Sequence, residues 1–152
     1  MAIPVPQDAK TTEQATVLEV FITSDANEAR RVQEDIETAL KARHYTEQEI
    51  FSIRLALEEA LVNAIKHGNR MDKSKKIQIS YLVGASHFEV LIADEGAGFD
   101  PACVPDPTAD ENIERPCGRG LMLMKHYMSE VAFSPRGNTV RMCKVPRVNG
   151  QP

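Results

Sequence analysis

Apolar residues fall at two periods along this chain, and each change of period marks the border of an element. Residues Thr16 to Thr23 (Thr-Val-Leu-Glu-Val-Phe-Ile-Thr) are rich in β-branched side chains and predict a strand. Ala29, Val32, Ile36 and Leu40 recur at helical spacing, so a helix capped by Ser24 or Asp25 is expected to run to about Arg43. His44 and Tyr45 bridge to the longest periodic stretch, Thr46 to Gly68, which predicts one helix. Thr46 suits its N-cap, Glu49 three residues on makes a capping box, and Gly68 suits a left-handed C′ position. Ile50, Ile53, Leu57, Leu61 and Ala64 form one apolar row, and Phe51, Leu55, Val62 and Ile65 form a second. Such a pattern predicts burial over most of the helix circumference.

After Gly68, Asn69 to Ser74 reads as a polar turn, and Lys76 to Val83 alternates like a half-buried strand. Gly84-Ala85-Ser86 turns the chain, and His87 to Ala93 returns as the antiparallel partner. Beyond Asp94 to Asp100, the segment from Pro101 to Cys117 is acidic and holds Pro101, Pro105, Pro107 and Pro116 with almost no periodicity. A loop of this length within a compact domain is a lid, a binding loop or a disordered stretch. Gly118-Arg119-Gly120 leads into a short helix over Leu121 to Met128. Glu130 to Ser134 and Asn138 to Lys144 predict a last hairpin, turning at Pro135 to Asn138. Strands that come in hairpins predict an α+β two-layer sandwich with a mixed, largely antiparallel sheet and helices on one face. No βαβ alternation is present, which argues against a doubly wound parallel sheet. The expected organisation is one domain over 16–144 with a lid at about 100–117, between a flexible start (1–15) and a tail (145–152).

The net charge of −4 gives no basic field with which to hold nucleic acid directly, or an anionic membrane. No apolar run approaches the roughly 20 residues of a membrane span. Cys103, Cys117 and Cys143 are an odd number of cysteines without metal-ligand spacing, as expected of reduced thiols in a cytoplasmic protein.

Three groups of residues carry candidate chemistry, and each has a plainer reading. Glu59, Asn63 and His67 stand at i, i+4 and i+8 on one side of the long helix. A carboxylate in apolar surroundings costs on the order of several kcal/mol unless compensated. The row therefore either serves a ligand or is solvated, with Glu59 paired to Lys66 or an arginine. Asn63 can offer an amide oxygen to Mg²⁺, and Glu59 can orient or deprotonate an attacking hydroxyl or water. His67 either supports phosphates or is a packed or capping histidine. Asp94-x-Gly96-x-Gly98 at a strand end suits an aspartate accepting from an exocyclic amine beside a backbone that approaches closely, or simply a glycine-rich turn. Gly118-Arg119-Gly120 at a helix start suits phosphate, with Arg115 and Arg119 adding positive charge, or is a flexible junction with those arginines balancing Glu111 and Glu114.

Taken in order, Glu-x-x-x-Asn-Ala-x-x-His on a helix, strand–Asp-x-Gly-x-Gly and loop–Gly-x-Gly–helix resemble the GHKL (histidine-kinase-like) ATPase superfamily, and within it the anti-sigma-factor serine-protein kinases. The likeness runs from near Thr16 to Lys144 and implies a Bergerat-type fold that binds Mg-ATP between the helices and a lid. By this resemblance Asn63 is the magnesium ligand, Glu59 the general base, Asp94 the adenine-binding aspartate with Gly96 and Gly98 in its box, and Gly118 and Gly120 the second glycine box at the phosphates. Glu114-Arg115 resembles a pair whose arginine acts at the γ-phosphate. Here Pro116 and Cys117 separate Arg115 from Gly118, one residue more than the family pattern, and Arg119 stands inside the glycine pair. The resemblance also implies partner switching: a sigma factor held inactive, a serine phosphorylated on a STAS-type anti-anti-sigma protein, and a homodimer. The alternative is a non-catalytic nucleotide-binding adaptor that sequesters a regulatory protein.

Overall fold

A computed structural model describes residues 17–96 and 116–146, with the backbone alone at 116–119. The N-terminal start, Gly98, Arg115, the 100–115 part of the expected lid and the tail beyond 146 lie outside the described residues.

Strand β1 (Val17–Thr23) leads into α1 (Ala26–Ala42), and Asp25, rather than Ser24, is the N-cap, accepting from the Asn27 N–H at 2.7 Å. The buried face of α1 is Ala29, Val32, Ile36 and Leu40, as the periodicity requires. Helix α2 (Glu47–Val62) starts on the expected capping box, with the Thr46 hydroxyl accepting from the Glu49 N–H and the Glu49 carboxylate from the Thr46 N–H. Tyr45, between the two helices, donates to the Gly84 carbonyl at 2.6 Å and ties this junction to the sheet.

Two expectations for the long helix are corrected. Its last turn, Asn63–Gly68, is π-helical, and Gly68 is no left-handed cap. The left-handed residues come later, at Arg70 (φ 51°) and Met71 (φ 59°). The helix is also less buried than two apolar rows suggest: Phe51 is 49% exposed, and Leu55 and Val62 are half-buried. The reason is that α2 packs against α1 and α3 and shares one buried core with the sheet, leaving one side of the second row uncovered. The Phe51 ring meets Tyr127 edge-on at 6.3 Å there.

Strands β2 (Lys76–Val83), β3 (Phe88–Asp94), β4 (Glu130–Phe133) and β5 (Thr139–Lys144) complete a five-stranded sheet in the order β1-β2-β3-β5-β4. The mixed, largely antiparallel sheet of the sequence reading narrows to one in which every described pair is antiparallel. Register puts Ile22, Ile77, Ile79, Ile92, Val90, Val140 and Met142 on the helix-covered face, where they are buried. The other face carries Glu19, Gln78 and Ser80, and Arg141 set between Glu89 and Glu130, to which it bonds at 3.0 Å. Helix α3 spans Pro116–Tyr127, five residues earlier than the apolar run predicts. Proline is well placed at a first helical position, because its missing N–H would lack a helical partner anyway.

Candidate functional site

One cleft of about 170 Å³ opens between α2, α3 and the covered face of the sheet. Its floor is apolar: Ile92 and Val140 face each other across β3 and β5, and Phe133 lies beside them. Ala60, Asn63, Ala64 and His67 make one wall, and Leu121 and Met124 of α3 make the other. Asp94 and Gly68 stand at one end, and the β4–β5 turn adds Gly137 and Asn138.

Close backbone approach explains the glycines better than flexibility does. At the floor end, a Cβ on Gly68 would collide with the Asp94 carboxyl group, and one on Gly96 would collide with the Gly68 carbonyl. Gly68 is therefore glycine so that Asp94 can lie against the helix end. The Gly96 N–H donates to Asp94 Oδ1 at 2.8 Å, the Asp94 N–H donates to the Asn138 carbonyl at 2.9 Å, and the Asp94 carbonyl accepts from Asn138 Nδ2 at 3.4 Å. Half-buried here, the Asp94 carboxyl is pushed above the ordinary carboxylate range by desolvation, against the opposing pull of the Gly96 N–H and the Lys75 charge.

Beside Asn63 of the cleft wall, a Cβ on Gly120 would stand 2.6 Å from Glu59 Oε2 and 3.1 Å from Asn63 Nδ2. The second glycine pair is thus not a loop ahead of a helix, as the sequence suggests, but lies within the first turns of α3. The N–H groups of a first helical turn have no intrahelical acceptor and carry the positive end of the helix dipole. Glu59, Asn63 and Gly120 consequently meet at one point, with Gly118 in the same turn. Of Gly118 and Arg119 only the backbone is described, so the reach of the Arg119 side chain, like that of Arg115, lies outside the described residues.

His67 edges the cleft from the π-helical turn. Partial burial and then the Lys66 charge hold its imidazole below the usual value, against the pull of Glu59, which favours a neutral ring at neutral pH. Among the described residues no three His, Cys, Asp or Glu side chains gather as a metal cluster. A divalent cation here would rest on Asn63 and the ligand's own oxygens. That donor set fits Mg²⁺, which keeps most of its waters and takes few protein ligands.

The floor and the hairpin turn were not legible as site residues. Ile92 and Val140 read only as strand core, Leu121 and Met124 as a helix face, and Gly137 and Asn138 as a turn. Only the sheet register shows which alternate positions face the cleft.

Gly120→Ala is expected to leave thermal stability unchanged or slightly higher, since alanine favours a helix interior by roughly 0.5–1 kcal/mol. The added methyl displaces the Glu59 carboxylate, so phosphotransfer should fall steeply in an assay of the same protein. Retained turnover would mean that Glu59 need not lie at Gly120.

This arrangement is that of a nucleotide-binding domain, and comparison with known proteins agrees. Residues 22–144 match the histidine kinase-like ATPase domain, and the chain belongs to that family, in its branch of anti-sigma-factor serine-protein kinases. It is 35% identical over 116 residues to the serine-protein kinase RsbW of Bacillus subtilis (strain 168), covering 70% of each chain. To the anti-sigma F factor of Oceanobacillus iheyensis it is 31% identical over 105 residues, 65% of this chain and 71% of that one. In fold it is similar to the crystal structure of the RsbU and RsbW domains of Rv1364c from Mycobacterium tuberculosis, with a TM-score of 0.59 and 17% identity over 88% of this chain and 33% of that chain. No helix among the described residues is long and apolar enough to cross a membrane.

Proposed function

We propose that the cleft is where this serine-protein kinase holds Mg-ATP, and that it acts as an anti-sigma regulatory factor by partner switching. The observation that carries this reading is the packing of Gly120 onto Glu59 and Asn63, which brings a carboxylate, a side-chain amide and a helix amino end together. Asp94 accepts a hydrogen bond from the exocyclic amine of adenine, and Ile92, Phe133 and Val140 take the ring out of water. The amide oxygen of Asn63 would hold Mg²⁺, which would supply charge neutralisation at the phosphates of ATP. N–H groups in the first turn of α3 face the phosphates. Glu59 orients the serine hydroxyl of a protein substrate and takes its proton as that oxygen bonds to the γ-phosphorus. The bond from γ-phosphorus to the bridging oxygen breaks, and ADP remains.

The protein partners are a sigma factor, held inactive, and a STAS-type antagonist, which is phosphorylated on serine and released. Relatives named serine-protein kinase and anti-sigma F factor support both halves of this reading. The test is affinity capture from cells with and without ATP, followed by mapping of phosphoserine. Recovery of a sigma factor, and of a STAS-type protein phosphorylated only when ATP is present, is expected. Capture that yields neither, or an antagonist that stays unmodified, would overturn the proposal.

A further inference from the structure

Asn69 reads from sequence as part of a polar turn, yet its side chain is fully buried, at 0% exposure. Both amide hydrogens and the carbonyl oxygen are used. Nδ2 donates to Ser24 Oγ at 3.0 Å and to the Lys76 carbonyl at 3.1 Å, and Oδ1 accepts from the Glu95 N–H at 2.8 Å. The three partners lie just after β1, at the start of β2 and just after β3, so one amide joins three segments that sequence keeps far apart. A buried side chain with every bond made is costly to alter, because each orphaned partner is left desolvated and unpaired.

The backbone around it is under constraint too. Arg70 and Met71 follow in the left-handed region, unusual for residues with side chains, and the Met71 N–H closes back on the Ile65 carbonyl at 2.7 Å. Strain of this kind persists only where the surroundings over-determine it, and it gathers beside functional sites. Here the strained turn follows directly on Asn69, which caps the π-helical end of the Asn63 helix and bonds the segment after Asp94.

Glu95 is the residue between Asp94 and Gly96. Its N–H is held by Asn69, its carboxylate accepts from the Lys76 N–H, and the next N–H, of Gly96, bonds Asp94 Oδ1. Fixing the Asp94–Glu95 peptide therefore fixes the direction in which the Asp94 carboxylate faces. We propose that Asn69 is a positioning residue for adenine recognition, holding the Glu95 N–H so that Asp94 presents its carboxylate to the cleft from against Gly68. This rests on Asp94 reading the adenine amine, as proposed above. Asn69 touches no ligand and acts only through the loop.

The test compares Asn69→Ala, Asn69→Asp and Ser24→Ala by two readouts. One is amide hydrogen exchange at Glu95 and Gly96 in the nucleotide-free protein, and the other is the ratio of ADP to GDP affinity by calorimetry where each variant is folded. Asn69→Ala should speed exchange at both amides about tenfold and lower the ADP preference by a similar factor. Asn69→Asp keeps an acceptor for the Glu95 N–H, and Ser24→Ala removes only a partner on the far side. Both are expected to lose stability but keep amide protection and base preference. Wild-type exchange in Asn69→Ala would overturn the proposal, as would an equal loss of ADP and GDP affinity there. If Asn69→Ala does not fold, loss of the preference in folded Asn69→Asp overturns it instead. A wild-type protein that binds ADP and GDP alike would remove the adenine role of Asp94, while the exchange data would still decide whether Asn69 holds the loop.

Discussion

Asp94→Asn is expected to make the nucleotide-free protein no less stable at neutral pH while lowering ADP affinity by about a hundredfold, from the roughly 1.5–3 kcal/mol of a hydrogen bond to a charged group. Both halves follow from the same burial. Desolvation raises the Asp94 carboxyl above its ordinary value, so the folded protein holds that proton more tightly than the unfolded chain does. Linkage then has a definite sign: the contribution of Asp94 is present below the unfolded value and lost as pH rises through the raised one. At neutral pH the ionised carboxylate is a burden on the free protein, and the asparagine removes it together with that part of the pH slope. Ligand binding runs the other way, because the adenine amine needs the ionised acceptor. Wild-type ADP affinity should weaken on acidification at a higher pH than an unperturbed carboxylate would give. Thermal unfolding and calorimetry across the acid range check both, and a variant that binds ADP as tightly as wild type would displace Asp94 from the adenine site.

Glu59→Gln separates binding from chemistry. Glutamine keeps the length and the contacts beside Gly120 and Asn63 but cannot take up a proton. Phosphate transfer to the serine of a protein substrate should fall by about 10²–10⁴-fold, the range for a lost general base, with ADP affinity nearly unchanged. Radiolabelled transfer and calorimetry on the same preparation measure the two quantities. Wild-type turnover would move the base elsewhere, whereas joint loss of binding and turnover would mean that Glu59 organises the phosphate end rather than the proton.

The two variants probe Asp94 in the cleft and Glu59 beside its Asn63 wall, and the glycines explain why both places are so closely built. Gly68 and Gly96 let Asp94 lie against the helix end, and Gly120 lets α3 come down onto Glu59 and Asn63. A side chain at Gly68, Gly96 or Gly120 would collide with the Asp94 carboxyl, the Gly68 carbonyl or the Glu59 carboxylate, respectively.

Much of this was readable along the chain. The Thr46–Glu49 capping box, the buried face of α1 and the β2–β3 hairpin depend on neighbours within a few residues, and such signals survive in a sequence. The candidate residues were legible too, since Glu59, Asn63 and Asp94 are unusual where they stand and their order resembles a known family.

Other features depended on what arrives from elsewhere. Gly68 reads as a helix cap because caps are local, but its reason is Asp94, brought alongside it by the pairing of β3 with β2. Asn69 reads as surface because its neighbours are polar, but Ser24, Lys76 and Glu95 close around it. Phe51 reads as core because its row is apolar, but α3 covers only part of it. By itself the sequence determined the order of the elements, the capping box at Thr46 and the candidate chemistry, since local periodicity and side-chain type encode those. Only the tertiary structure decided which glycine is a cradle, which asparagine is a brace and where the cleft lies, because each of these is a contact between segments distant in sequence.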